Sequence, residues 1–409
     1  MNYTNGKDIF PPELLDLIQY YAQGKYVYIP KRDENKEKWG TKTSYKKELK
    51  LRNSHIYTKY LTGLSVTQLS NKYCLSNKSV KRILLEKRKG VKEMNEIIEK
   101  LLKSWNINSE IKQIYDTAWS VGDNYVIKAN NDLESLNRNI TLMRTLNECG
   151  IPVAHPIPTI VGQDYVEANE KYYLMMNKLS GTHILDIYEE DYITIAYATG
   201  KGIAKLHTAF IACEEKITCW DNSLLDEMSG WIRDTLEIND YKYLKKIDFD
   251  KSLNDLNECY NKLQRQLIHR DLHFGNLLFN NCEFSGYIDF DLSQKNIRIF
   301  DICYFLLGLL IDHEKSTEHI DKWYNIVSKF IEGYEMTNPL TNLEKESICC
   351  IMSSIELLFV AYFISNEDEL LAQGAANLYY FVNENQEKIQ YAINNYGPTI
   401  SYKNRKQEI

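Results

Sequence analysis

Four residues of this 409-residue chain have the types and the spacing to do chemistry. In "LIHRDLHFGNLLF", residues 267–279, polar groups sit between two apolar flanks, and His269, Asp271 and Asn276 spell H-x-D-x-x-x-x-N. Asp289 follows in "GYIDFD", thirteen residues beyond Asn276, and Lys128 stands far upstream in "YVIKAN". Phosphoryl transfer needs a carboxylate beside the acceptor hydroxyl, oxygen ligands for Mg²⁺ on the phosphates, and a cation near them. Asp271 meets the first need, Asn276 and Asp289 the second, and Lys128 the third. Each match alone is weak: an HxD triplet is usually structural, and a strand lysine is usually solvated. Their order and distances together make the constellation specific.

Those side chains need elements to hold them. "EIKQIYDTAWSVGDNYVIKAN" alternates polar and apolar residues around a Gly-Asp turn, which predicts a hairpin with Lys128 on its second strand. In "LESLNRNITLMRTLNEC", Leu136, Ile140, Met143 and Leu146 recur at helical spacing, and Gly150 stops the helix. "IPVAHPIP" reads as extended and "KYYLMMNKLSG" as a buried strand. Beyond that the pattern is mostly helical, broken by the opening stretch and by "FSGYIDFDLSQ". The expectation is α+β: a small β-rich lobe over 93–180, then a larger helical lobe over 181–409, with a nucleotide clamped in the cleft.

The arrangement resembles the aminoglycoside phosphotransferase/choline kinase family, a branch of the protein-kinase-like bilobal fold. "IHRDLHFGNLLF", "GYIDFDLSQ", "GIPVAHPIPT", "LMMNKLSGT" and "GIAKLH" fall where that family has its motifs, over about residues 105–380. The resemblance implies that Asp271 is the catalytic base and that His269 and Asp301 brace its loop. It implies that Asn276 and Asp289 hold Mg²⁺, that Lys128 binds phosphate, and that backbone groups from Asn177 to Leu179 meet the base of ATP (or GTP). His273 stands where protein kinases carry lysine and no DFG or APE follows, so a small-molecule acceptor is expected. Two departures stand out: Asn139 occupies the place of the helix glutamate that pairs the strand lysine, and the phosphate loop holds only Gly122.

Other conspicuous residues read blandly. His207 is expected as a packed helix histidine. Asp291 positions a loop or touches a second metal, with neither favoured. Glu356, Glu367, Asp368 and Glu369 are expected on a solvated helix end rather than in an acceptor pocket.

Charge divides the chain. Residues 1–92 hold 20 Lys and Arg against 8 Asp and Glu, a net of +12; the remainder holds 29 against 48, a net of −19. The basic part reads as a helix from Pro12, a strand from Tyr26 to Ile29, a polar loop, then three helical pieces. The first piece ends at Gly63; Ser65 and Ser76 cap the next two, and a break is expected near Gly90. Val66, Leu69, Tyr73, Val80, Ile83 and Leu84 face inward, leaving Asn77, Lys78, Lys81, Arg82, Lys87 and Arg88 outside. This is a helix-turn-helix pattern, with the start of the last helix facing duplex DNA. The region also resembles the Mor transcription activator family over most of residues 8–88, which implies a homodimer formed through the first helix and the "YIPK" strand.

The start carries no basic segment followed by an apolar core, so no signal peptide is expected. The apolar runs near "IFDICYFLLGLLI" and "ELLFVAYFI" look too short to span a bilayer. Nine cysteines without a CxxC pair argue for a reducing cytoplasm and against a zinc site. Two functions stay open: a Mg²⁺-dependent phosphotransferase for a small, cationic hydroxyl compound, or a transcriptional regulator whose second module senses a ligand.

Overall fold

Ser65 and Ser76 set the start of two helices in the basic unit. Ser65 Oγ accepts from the Gln68 N–H, and Gln68 Oε1 accepts from the Ser65 N–H at 2.9 Å, so α1 (Val66–Lys72) begins on a capping box. Ser76 Oγ accepts from the Ser79 N–H at 3.1 Å at the start of α2 (Asn77–Leu101). Leu69, Val80, Ile83 and Leu84 close with Ile56 into a small core. This computed structural model describes residues 77–395 apart from 116 and 312–315, together with 14, 52, 53, 56, 57, 59, 60, 63–73, 75 and 76. The strand Tyr26–Ile29, the loop that follows it and, Leu14 aside, the helix from Pro12 lie outside the described residues. The chain divides into two compact units, Met1–Glu93 and Met94–Ile409.

The break expected near Gly90 is absent. Helix α2 runs through it, because an exposed helical glycine costs only about 1 kcal/mol and no proline enforces a stop.

The second unit opens with a five-stranded antiparallel sheet of order β1-β2-β3-β5-β4: β1 Ile111–Tyr115, β2 Ala118–Val121, β3 Tyr125–Asn130, β4 Tyr165–Ala168 and β5 Lys171–Asn177. Gly122, with φ +56°, makes the expected turn between β2 and β3. The β4–β5 hairpin was not legible as such. It turns on Asn169 and Glu170, both at positive φ, as a two-residue hairpin demands. Along β3, Ile127 and Ala129 enter one core with Trp119, Val121, Tyr173 and Met175. Lys128 points to the other face, opposite Leu174, which packs with Leu136 and Ile140 of α3 (Leu133–Glu148).

The helical part is built around α4 (Tyr192–Glu214), α5 (Ile299–Gly308), α6 (Thr317–Glu335), α7 (Asn342–Ser365) and α8 (Glu369–Glu384). Helices α4 and α6 touch backbone to backbone. A Cβ at Gly200 would lie 2.0 Å from Phe330 O, and one at Gly333 would lie 2.1 Å from Tyr197 O. Helix α7 exceeds the length expected from its apolar run. By length and composition it could cross a bilayer, yet 72% of its most apolar window is buried within the unit.

Two short ladders position the polar loops. Strand β6 (Arg265–Ile268) pairs with β9 (Gln294–Ile297), and β7 (Leu277–Asn280) pairs with β8 (Glu283–Tyr287). Ile268 faces Gln294 and Leu277 faces Tyr287, so residues 269–276 and 288–293 leave the ladders side by side.

Candidate active site

The loop 269–276 is shaped by one buried carboxylate. Asp301, on the first turn of α5, is fully buried; its Oδ2 accepts from the His269 N–H and its Oδ1 from the Arg270 N–H, each at 2.8 Å. These bonds hold Arg270 at φ +74°, a conformation a bulky side chain rarely adopts. His207 Nε2 lies 3.0 Å from the same Oδ2, and His207 Nδ1 lies 2.8 Å from Tyr334 Oη. His207 is packed, as expected, but it also supports the carboxylate that shapes the loop.

Asp271 follows in the loop and is part-buried. Its Oδ1 accepts from Tyr304 Oη at 2.9 Å and its Oδ2 from Asn276 Nδ2 at 3.1 Å, while His273 Nε2 stands 3.6 Å from Oδ2. His273, foremost, and Tyr304 overcome partial burial and hold the carboxyl at about 2, so it is ionised near neutrality. Gly275 lets the loop curl onto His273: a Cβ there would lie 2.6 Å from the ring. Tyr304 was not singled out from the sequence. The signal was its place one helical turn beyond Asp301.

Asn276 and Asp289 meet through backbone. The Ile288 N–H donates to Asn276 O at 3.0 Å, and Ile288 O lies 3.4 Å from His269 Nε2. His269 itself is fully buried, and that burial pushes its ring below the usual histidine range, keeping it neutral. Asp289 has φ +64°, strain of the kind that collects at functional sites.

Lys128 reaches this end of the sheet. Its Nζ lies 2.9 Å from Asp289 Oδ1 and 2.7 Å from Asp291 Oδ2. Burial alone would lower its pKa; the carboxylates of Asp291 and Asp289 outweigh burial and keep it raised, so the ammonium stays charged. Where the resemblance expects a glutamate, Asn139 Nδ2 donates to Asp291 Oδ1 at 2.8 Å. Asp291 thus joins lysine and helix α3.

The segment expected to meet the base begins at the end of β5. The Asn177 N–H donates to His155 O at 3.2 Å, Asn177 Oδ1 accepts from the His155 N–H at 2.7 Å, and the Lys178 N–H donates to Asn124 O at 2.7 Å.

The oxygen donors suit a hard cation. Asn276 spends Nδ2 on Asp271, which turns its amide oxygen away from that contact, and Asp289 offers a half-exposed carboxylate. Among the described residues, no three His, Cys, Asp or Glu side chains form a metal cage by themselves. A Mg²⁺ completed by phosphate oxygens needs none.

Three expectations lie outside this cluster. Glu356 is buried in the middle of α7 rather than on a solvated end. Glu367 and Glu369 are exposed, and Asp368 Oδ1 caps α8 by accepting from the Leu371 N–H. On the basic unit, Asn77, Lys78, Lys81, Arg82 and Arg88 are exposed, as read from the sequence. Arg88, however, is engaged by Tyr60, its Nη2 3.1 Å from Tyr60 Oη. Arg82 Nε lies 3.8 Å from Glu86 Oε1.

Comparison with known proteins places this geometry in context. A model of the phosphotransferase enzyme family matches residues 113–323. A homoserine kinase of Methylobacillus glycogenes is 25% identical over 217 residues, which are 52% of this chain and 63% of that kinase, so the chain spans less than two thirds of its relative. An uncharacterized protein YraL of Bacillus subtilis (strain 168) is 37% identical over 87 residues, 21% of this chain and 100% of that protein. Amicoumacin kinase hAmiN, solved in complex with AMP-PNP, Ca²⁺ and Ami, superposes with a TM-score of 0.52 at 19% identity, over 73% of this chain and 96% of that one. That likeness shows the fold: a sheet lobe followed by a helical lobe, kinase-like.

Proposed function

The chain belongs to the phosphotransferase enzyme family, and we propose that it transfers the γ-phosphoryl group of ATP or GTP to a hydroxyl of a small molecule. One observation carries this reading. Lys128, from the sheet, lies within 2.9 Å of Asp289, whose neighbour Ile288 is bonded to Asn276, whose amide holds Asp271. Four residues selected by chemistry alone converge in one connected set.

In this reading Asp271 touches the acceptor hydroxyl. A carboxylate held at about 2 is a weak base, so its main task is to orient the hydroxyl and take its proton late, as a loose transition state allows. His269 is a positioning residue, because it is buried and bonds to Ile288 rather than facing solvent. Asn276 and Asp289 would hold Mg²⁺, which supplies charge neutralisation on the phosphates when bound. Lys128 would share that task. With the Asn177 and Lys178 N–H groups engaged, the Leu179 N–H is the donor this reading assigns to the base. The net −19 of residues 93–409 favours a cationic acceptor, an amino alcohol or an aminoglycoside, through long-range attraction. ADP or GDP release that depends on an added hydroxyl compound tests the proposal.

A second reading concerns the basic unit, taken as residues 1–92. Exposed Lys78, Lys81 and Arg82 on the first turns of a capped helix, with a net charge of +12, favour binding to duplex DNA as a helix-turn-helix, with a homodimer placing two copies on one site. Under it the kinase-like unit could report a bound ligand to a regulator. A mobility shift with duplex DNA tests it.

A further inference from the structure

We propose that Asn139 is a positioning residue that divides labour between the two carboxylates around Lys128: it fixes Asp291 as the standing anchor of the ammonium and leaves Asp289 free to turn to a divalent cation. This builds on the phosphotransferase reading of the site and assigns a task that reading leaves open.

Two carboxylates share one ammonium, at 2.9 Å and 2.7 Å. They are not equivalent. Asp291 is held from both sides, Oδ2 by Lys128 and Oδ1 by Asn139 Nδ2 at 2.8 Å. Among the described residues, the Asp289 carboxylate bonds to Lys128 alone. A cation drawing on Asp289 therefore breaks one contact, and Lys128 keeps its place through the other.

The amide is committed to this task. Asn139 lies on the buried face of α3 with Leu136, Ile140 and Met143, so its side chain has little freedom. Turning the amide over would set its oxygen against the Asp291 carboxylate, so the donor must face it. Its Oδ1 is then buried with no partner among the described residues. The unmet acceptor has a cost, and the bond that offsets it is the one Nδ2 makes to the Asp291 carboxylate. A carboxylate at 139 would put three negative groups around one ammonium; a neutral donor keeps the count at two.

The test uses the full chain and four variants: Asn139→Leu, Asp291→Asn, Asn139→Asp, and Asn139→Asp combined with Asp291→Asn. Two readouts are taken: the rate at which an amine-directed acylating reagent labels Lys128 without metal, and kcat and KM for the nucleotide. Loosening Asp291 leaves the ammonium held by Asp289 alone and its side chain freer to meet the reagent, so Asn139→Leu and Asp291→Asn should both label Lys128 faster. Both should lower kcat by about 10–100-fold, the range for residues supporting a metal site, with a smaller change in KM. Asn139→Asp should impair turnover, and adding Asp291→Asn, which exchanges carboxylate and amide, should recover it. Wild-type labelling and kcat in Asn139→Leu, or no recovery in the exchanged pair, would overturn the proposal. If the wild-type chain transfers phosphate to no acceptor, the functional reading falls, and the labelling rates still decide the role of Asn139.

Discussion

Tyr304 Oη donates to Asp271 Oδ1 at 2.9 Å, tying helix α5 to the residue proposed to meet the acceptor hydroxyl. The same helix carries Asp301, which shapes the loop from beneath. One helix therefore sets both the path of the loop and the direction of its carboxylate.

A pH dependence follows. His273 and then Tyr304 depress the Asp271 carboxyl to about 2, below its unfolded value near 4. A depressed acid stabilises the fold above its unfolded pKa and loses that contribution as pH falls through the folded value. Tyr304→Phe should cost about 1.5–3 kcal/mol at pH 7, the range for a hydrogen bond to a charged group. Urea unfolding of both proteins at pH 7 and pH 3 checks this. The gap should narrow at pH 3, and an equal gap at both would mean that Tyr304 does not stabilise the ionised carboxyl.

Metal dependence isolates Asp289. Asp289→Asn exchanges an anionic oxygen for a neutral amide and should weaken nucleotide binding with Mg²⁺ far more than without it. Calorimetry with and without Mg²⁺ reads the difference. Equal affinities for mutant and wild type in both conditions would remove Asp289 from the metal site.

Glu356 gives a pH signature of opposite sign. Burial pushes its carboxyl up to about 8, so it stays neutral in the fold while the unfolded chain ionises above about 4.5. Wild-type stability should therefore fall between pH 4.5 and 8, at up to about 1.4 kcal/mol per unit. Glu356→Gln should remove that slope and gain on wild type at pH 8 relative to pH 5. Parallel stability curves for the two proteins would contradict it.

The basic unit makes a separate prediction. In the full chain, duplex DNA binding should weaken with salt by a log–log slope of about −0.9 per phosphate neutralised. If Lys81 contacts phosphate, Lys81→Ala should weaken all sequences alike and flatten the slope by roughly one. If Arg82 reads a base, Arg82→Ala should cost about 1–3 kcal/mol on the preferred site and relax its sequence preference. Binding only at very low salt, unchanged by either substitution, would leave this face without a nucleic-acid role.

That Lys128, Asp271, Asn276 and Asp289 come together was legible because the chemistry proposed for them constrains residue type and local spacing together. Asp271 and Asn276 share one loop, and Asp289 and Lys128 each sit on or after a strand with a clear pattern. Asp291 stayed ambiguous and Asn139 looked like a loss, because their bond spans 152 positions and nothing local encodes it. Glu356 was misplaced for a related reason: only packing against other helices decides that a glutamate in α7 is inside. The β4–β5 hairpin escaped because its strands are short and its turn uses asparagine and glutamate rather than glycine. Helix α2 ran past Gly90 because glycine weakens a helix without forbidding it.

Phosphoryl transfer through Asp271 has a direct test. The measurement is nucleotide-diphosphate release, with mass detection of the acceptor, for wild type and Asp271→Asn across homoserine, amino alcohols and aminoglycosides, each with ATP and with GTP. One acceptor class should gain a single phosphate in step with release, and kcat in Asp271→Asn should fall by about 10²–10⁴ with nucleotide affinity retained. Equal phosphorylation by both proteins, or none by wild type with any acceptor, would contradict it.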